Sequence, residues 1–395
     1  MANQQKIAMR DYSVSQPRID IKQRAAWKRW VSFDYDNLFP NVLYNLYADS
    51  PLQSSIINNQ IKYVKGAGLK EYSASIFQPN IGERWEEFIE KVVTDFCIFG
   101  AFSVQAVVSE DGNKLLYYHI PVNQVRLGAF DENNQIEYAY LATDWSRINT
   151  SNVVEIKMFG LEQPKKGERY LLYFKPYDPS ELYYAVPKWY SGANWVLADI
   201  ALSRYYNNYI RNNFSANMSI AYPNDMDEDK KAELYQLLTD SFGGQDNAGN
   251  ILLLFGENGT LPEVKSIESV NADLYQNVCD TVLKYIVSAN RLTSPILAGL
   301  STSSGFSSKS DEIIAAYTLY KLTVIDDMRS FIMDKINYLL MLNGQPRCLV
   351  LDDYDFRSEF EGDTRENDEK EAEQIDADNN ADNTEEQIED GNEQH

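Results

Sequence analysis

Read for the spacing of its apolar positions, the chain changes period twice. Ser50 suits a helix N-cap and Pro51 a first helical position, and Ile56, Ile57, Ile61 and Val64 then recur at helical spacing until Gly66 and Gly68. A second amphipathic helix is expected over 83–96, with Trp85, Phe88, Ile89, Val92 and Phe96 on one side, and Gly100 breaks it. From there to Phe174 the period falls to two. Strands are expected at 102–108, 115–120, 136–141, 153–158 and 170–174, the first two joined by an Asp111-Gly112 turn. The first half therefore reads as an α+β domain.

Beyond Pro187 the helical period returns. Residues 188–212 lack proline and predict one helix with Trp189, Ala193, Val196 and Ile200 on a stripe, whereas its second half, SRYYNNYIRNN, is polar and tyrosine-rich and should leave the core. Asp225 and Glu228 are spaced like a capping box for a helix over 227–241, which Gly243-Gly244 ends. A buried-type strand at 251–255 follows, then a turn at Asn258-Gly259. A second long helix over 269–290 carries Val270, Leu274, Val278, Val282, Tyr285 and Ile286 as its apolar positions. Two long helices thus flank a small α/β insert. After Pro295 the stretch AGLSTSSGFSSKS has little to bury and predicts a loop, and a last helix over 311–342 places Ile313, Tyr317, Tyr320, Val324, Met328, Phe331 and Leu339 on its apolar side.

With 395 residues, 44% of them hydrophobic, the chain can bury a large core and hold two or three domains. No apolar run approaches the roughly 18 residues of a spanning helix, and the start, MANQQKIAMRDYS, predicts no secretory signal. A soluble, intracellular chain without membrane contact is the expectation. Net charge is −23, but residues 361–395 hold 15 acids against Arg365 and Lys370, leaving −10 for the other 360 residues. That last stretch predicts a disordered acidic tail. A basic, aromatic cluster at the other end (Lys22, Arg24, Trp27, Lys28, Arg29, Trp30) suits phosphate contact or an arm packed on a neighbour.

Candidate chemistry is sparse. Cys97, Cys279 and Cys348 are an odd, widely spaced set with no C-x-x-C pair, which fits free thiols in a reducing compartment and offers no zinc framework. The two histidines, His119 and His395, exclude a His-rich metal site. A Cys97–His119 thiolate dyad would need an accessible thiol, and TDFCIFG reads as buried. Gly299 and Gly305 are wrongly spaced for a phosphate loop and no Gly-Lys-Ser/Thr follows. Asp199 and Asp273, within the two long helices, read as channel or interface charges or as solvated helix faces. No cofactor is expected and the chain does not read as an enzyme. A carboxylate-pair carbohydrate hydrolase is one alternative, and a non-catalytic ring or connector part is another.

Four segments, in order, carry a family resemblance: NLFPNVLYNLYADSPLQSSIINNQIKYVKGAGL; YYAVPKWYSGANWVLADIALSRYYNNYIRNNFSANMSIAYP; LYQLLTDSFGGQDNAGNILLLF; and YIVSANRLTSPILAGLSTSSGFSSKSDEIIAAYTLYKLTVIDDMRSFIMDKINYLL. Over 31–356 the chain resembles the portal proteins of tailed phages, in their short branch from long-tailed phages and prophages. Its richness in Tyr and Asn and its acidic tail depart from the usual pattern. The resemblance implies a portal-type fold: an arm and α+β wing over 1–187, a first stem helix over 188–212, a clip over 213–265, and a second stem helix over 266–292. A tunnel-loop region over 293–310, a long helix returning to the wing over 311–342, and a crown over 343–360 would follow, ahead of the tail at 361–395. It implies a homo-oligomeric ring, usually of twelve copies, at one capsid vertex of the virion, assembled in the host bacterial cytoplasm. Double-stranded DNA would pass through it without sequence preference; the large terminase, a head-tail adaptor, and the major capsid and scaffold proteins would be its partners. Tunnel-loop residues Ser303, Ser304, Phe306, Ser307, Ser308 and Lys309 would touch DNA, and clip residues Asn213, Asn217, Tyr222, Asp225, Asn247 and Asn250 the motor or connector. An acidic wall with few bases would let a duplex slide, since each phosphate contact adds affinity through counterion release.

Overall fold

A computed structural model describes residues 29–73, 76–148, 152–179, 182–211, 218–223, 227, 229–230, 232–233, 236, 251–256, 264–266, 272–300 and 310–354. Helices α1 (Phe39–Asp49) and α2 (Pro51–Lys65) meet at Ser50, whose hydroxyl accepts from Gln53 N at 3.1 Å and caps α2. Such a cap stabilises by about 1 kcal/mol. The two-residue strand β1 (Gly68–Leu69) follows, then α3 (Trp85–Phe99), which buries Trp85, Phe88, Ile89, Val92 and Val93. Gly100 ends α3 with φ +76°, a left-handed step at which a β-carbon would press on the Pro187 backbone at 3.1 Å.

Strands β2 (Phe102–Val108), β3 (Leu115–Ile120), β4 (Val125–Leu127), β5 (Tyr138–Leu141), β6 (Val154–Met158) and β7 (Arg169–Phe174) form one sheet in the order β3-β2-β7-β6-β5-β4. All pairs are antiparallel except β6 with β7. Both edges are blunted. At β3 the Asn343 side chain accepts from Leu115 N and donates to Leu115 O, while Tyr117 N donates to Pro79 O and Asn80 donates to Tyr117 O. At β4, Val31 N donates to Leu127 O, and the Tyr184 hydroxyl bridges Leu127 N and Val31 O. An edge so occupied cannot add another strand.

Helix α4 (Ala193–Arg211) leaves this domain and α5 (Ala272–Ala289) returns to it. Close pairs at 192 with 289, 195 with 285 and 206 with 279 make them antiparallel. Gly192 allows the approach, because a β-carbon there would lie 2.5 Å from that of Ala289. Between them β8 (Met218–Pro223), β9 (Ile251–Gly256) and β10 (Val264–Ser266) form a separate sheet, ordered β10-β8-β9, with β8 and β9 parallel. Helical residues at 229–230, 232–233 and 236 lie in the crossover a parallel pair requires.

The chain ends its described course with α6 (Ser310–Tyr320), a single π turn (Lys321–Ile325), α7 (Asp326–Leu342) and β11 (Leu351–Asp352), which pairs with β1. The expected single helix over 311–342 is therefore two α-segments around a π turn, and the buried stripe changes register there. It runs through Tyr317, Tyr320 and Val324, then continues at Ile325, Arg329, Ile332, Ile336 and Leu340, while Met328 and Phe331 are only half-buried. One extra residue in the turn accounts for the shift. The expected helix over 188–212 likewise opens as a 3₁₀ turn at Lys188–Gly192, and that over 269–290 is described as helix only over α5. Val278 and Tyr285, expected on the apolar stripe of α5, are exposed. Among the described residues no helix is long and apolar enough to cross a membrane.

Candidate channel site and its anchors

Helix α2 organises the junction of the domain, the helix pair and the serine-rich loop. Three side chains at helical spacing grip the short 3₁₀ turn Pro295–Ala298 that leads into the loop. Ser55 donates to Ala298 O at 2.9 Å, Asn59 to Leu297 O at 3.1 Å and the Tyr63 hydroxyl to Leu297 O at 2.9 Å. Burial, with Tyr317 and Tyr354 near it, pushes the Tyr63 phenol up to about 12, so it stays a donor at neutral pH. Gln53 and Asn290 exchange two buried amide bonds (2.8 and 3.3 Å), tying α2 to the end of α5, and Gln60 donates to the Tyr320 hydroxyl at 2.9 Å, tying it to α6.

Both ends of α2 are held by charges from the long helices. Asp199 of α4 is buried, where it accepts from Ser50 Oγ at 2.6 Å and Leu52 N at 3.3 Å, at the positive end of the helix. It is thus neither a channel charge nor a solvated helix face. At the other end Arg329 of α7 donates to Val64 O and Tyr63 O, both at 2.8 Å, and pairs with Asp353. Lys321 reaches both Asp326 (3.1 Å) and Asp353 (3.3 Å). Its pair with Asp326 spans five residues, the spacing at which side chains align across a π turn rather than an α turn.

The far side of the loop is tied down as well. Thr293 Oγ1 donates to Ala316 O and Arg291 to Thr323 O, both at 2.7 Å, so the chain entering the loop and the helix leaving it lie side by side. A cavity of about 310 Å³ adjoins this junction, walled by Phe96, Trp189, Met328 and Phe331 among others.

No family model matches the chain, and no curated protein does. It matches a chain from the neck of an empty gene transfer agent particle over 76% of its own length and 80% of the other's, at 14% identity and a TM-score of 0.50. The two chains share a fold. A chain in the neck of the native particle matches at 16% identity over 82% and 88% of the two lengths, with a TM-score of 0.49. An HK97-family phage portal protein from Corynebacterium diphtheriae matches at 11% identity over 69% and 84%, with a TM-score of 0.38.

Ser303, Ser304, Phe306, Ser307, Ser308 and Lys309 lie outside the described residues, as do Asn213, Asn217, Asp225, Asn247 and Asn250. Tyr222 lies in β8 opposite Phe255. Of the basic, aromatic cluster, Arg29 pairs with Glu155 at 3.4 Å and Trp30 packs edge-on against Trp145. His119 is engaged by Asp95 at 3.0 Å rather than by Cys97, and burial drives the Cys97 thiol far up and out of nucleophilic range. The anchoring residues Gln53, Asn59, Gln60 and Tyr63 carry no sequence signal beyond the polar face of α2.

Burial raises the Asp353 carboxyl, but hydrogen bonds and charge from Arg329 and Lys321 outweigh it and hold the group below the ordinary value of 3.8. A depressed carboxyl stabilises above the unfolded-state value and loses that contribution as pH falls through the folded-state value. Asp353→Asn should therefore be less stable than the parent at pH 6, and the gap should begin to narrow near pH 4 and close only below the folded-state value. Urea denaturation at pH 6 and at about pH 2 reads it; a pH-independent gap would remove the ion pair from the account.

Proposed function

We propose that this chain is a phage portal protein, forming a ring of about twelve copies at one vertex of a capsid, through which double-stranded DNA is packaged and ejected. The reading rests on one arrangement above all: an antiparallel helix pair that carries a small sheet-bearing insert at its far end and the clamped ends of a serine-rich loop at its near end. Helices α4 and α5 serve as the stem and the insert over 213–265 as the clip. Asn213, Asn217, Tyr222, Asp225, Asn247 and Asn250 then belong to the surface facing the large terminase and later the head-tail adaptor. The loop carrying Ser303, Ser304, Phe306, Ser307, Ser308 and Lys309 meets DNA, and Lys309 is the base that touches phosphate. Major capsid and scaffold proteins surround the ring, which assembles in the host cytoplasm and stays in the virion. Residues 201 and 203–207 of α4 are exposed and mostly polar, as a helix meeting water or other copies requires.

The test is single-particle imaging of the chain produced alone and with shell and scaffold proteins. A closed ring of about twelve subunits with a bore wide enough for a duplex is expected. A ring too narrow for DNA, together with normal packaging when the chain is deleted, would point to a connector without DNA passage.

A further inference from the structure

The run IIAAYTLYKL, from Ile313 of α6 to Leu322 of the π turn, is apolar almost all round, a composition that belongs to a helix buried on every side. In the single chain only Tyr317 and Tyr320 of it are buried; Leu319 and, in the π turn, Leu322 are 54% and 66% exposed and continue from exposed Ala315 as one stripe. Helix α5 carries a matching stripe at i, i+3, i+7 and i+10: Val278 (40% exposed), Thr281, Tyr285 (51%) and Ser288, whose small members leave notches beside the large ones.

We propose that the Ala315–Leu319–Leu322 face of one copy seats on the Val278–Tyr285 face of α5 in the next copy, a contact that rests on the ring reading above. A cyclic ring joins unlike patches, so the α6 face cannot meet itself. Rotation about the ring axis leaves height unchanged, so a patch meets only patches at its own level. The Arg291–Thr323 and Thr293–Ala316 bonds hold α6 and the π turn level with the C-terminal end of α5, where Tyr285 and Ser288 lie. Exposed Asp311 and Glu312 head the α6 stripe, and exposed Lys284 borders the α5 stripe on the turn beside Tyr285, with exposed Asp280 one turn further toward the helix start.

The test uses the full chain with Cys279→Ser and Cys348→Ser as parent, carrying Leu319→Cys, Tyr285→Cys or both, treated with a short bismaleimide. The double variant should give a ladder of covalent oligomers on a denaturing gel while each single variant stays monomeric. In parallel, Leu322→Asp should lower the fraction of chain in rings about tenfold and leave circular dichroism unchanged, since the residue is exposed. Rings seen by imaging with no ladder from the double variant, or unaffected by Leu322→Asp, would overturn this contact and leave the ring standing. Absence of rings from the parent with shell and scaffold proteins present would overturn the ring, and this contact with it.

Discussion

Gly66→Ala should destabilise the main domain by about 3 kcal/mol, lowering its thermal midpoint by about 6–12 °C. Gly66 sits at φ +58°, ψ −148°, a conformation open to glycine. A β-carbon there would clash with Asp352 O and Arg329 Nη2. Neither neighbour is free to yield, since Asp352 O accepts from Ala67 N beside the β1–β11 pairing and Arg329 is committed to the last carbonyls of α2. Gly82→Ala is the control, because its added carbon meets nothing within 4 Å. Equal midpoints for the two variants, by calorimetry, would show that the closure of α2 by Arg329 and β11 is not the constraint described.

Asp199→Ala should cost about 2–4 kcal/mol, through loss of a charged acceptor at a buried helix start and the orphaning of Ser50 Oγ and Leu52 N. Asp199→Asn, which keeps one acceptor oxygen, should recover part of the loss. Chemical denaturation distinguishes this from a solvated charge, whose removal would move the midpoint hardly at all. Protection of α2 amides from hydrogen exchange should fall in the alanine variant before that of β2 or β7.

What the sequence showed and what it hid follow from range. Helix α2 and strands β2 and β3 begin and end where capping chemistry and period place them, because Ser50, Gly66 and the Asp111-Gly112 turn act on their own neighbours. Helix α1 has a weaker local signal: FPNVLYNLYAD has its proline at the helix start, but no polar cap precedes it. Strand β4 is three residues long, too short for any period, and β1 finds β11 only across nearly the whole chain. The π turn left no local mark, since its stripe reads as continuous until Arg329 is seen to be buried in place of Met328. Nothing beside Asp199, Gln53 or Arg329 in the chain marks them as buried, because their partners lie 149, 237 and 265 positions away. For the candidate site, the stem pair and loop were legible as segments, whereas the residues that fasten the loop were legible only as polarity.

The grip of Ser55, Asn59 and Tyr63 on Leu297 and Ala298 has a mechanical side. The three donors stand in a row along the axis of α2, like teeth of a comb. They hold two carbonyls, and Leu297 O takes two of the three bonds. A load arriving at Gly299 parallel to that axis strains all three bonds together, whereas a load across the axis frees Ala298 first and only then meets the pair at Leu297. The turn that leads into the loop therefore resists being dragged along α2 more than being peeled from it, a directional resistance set by three side chains.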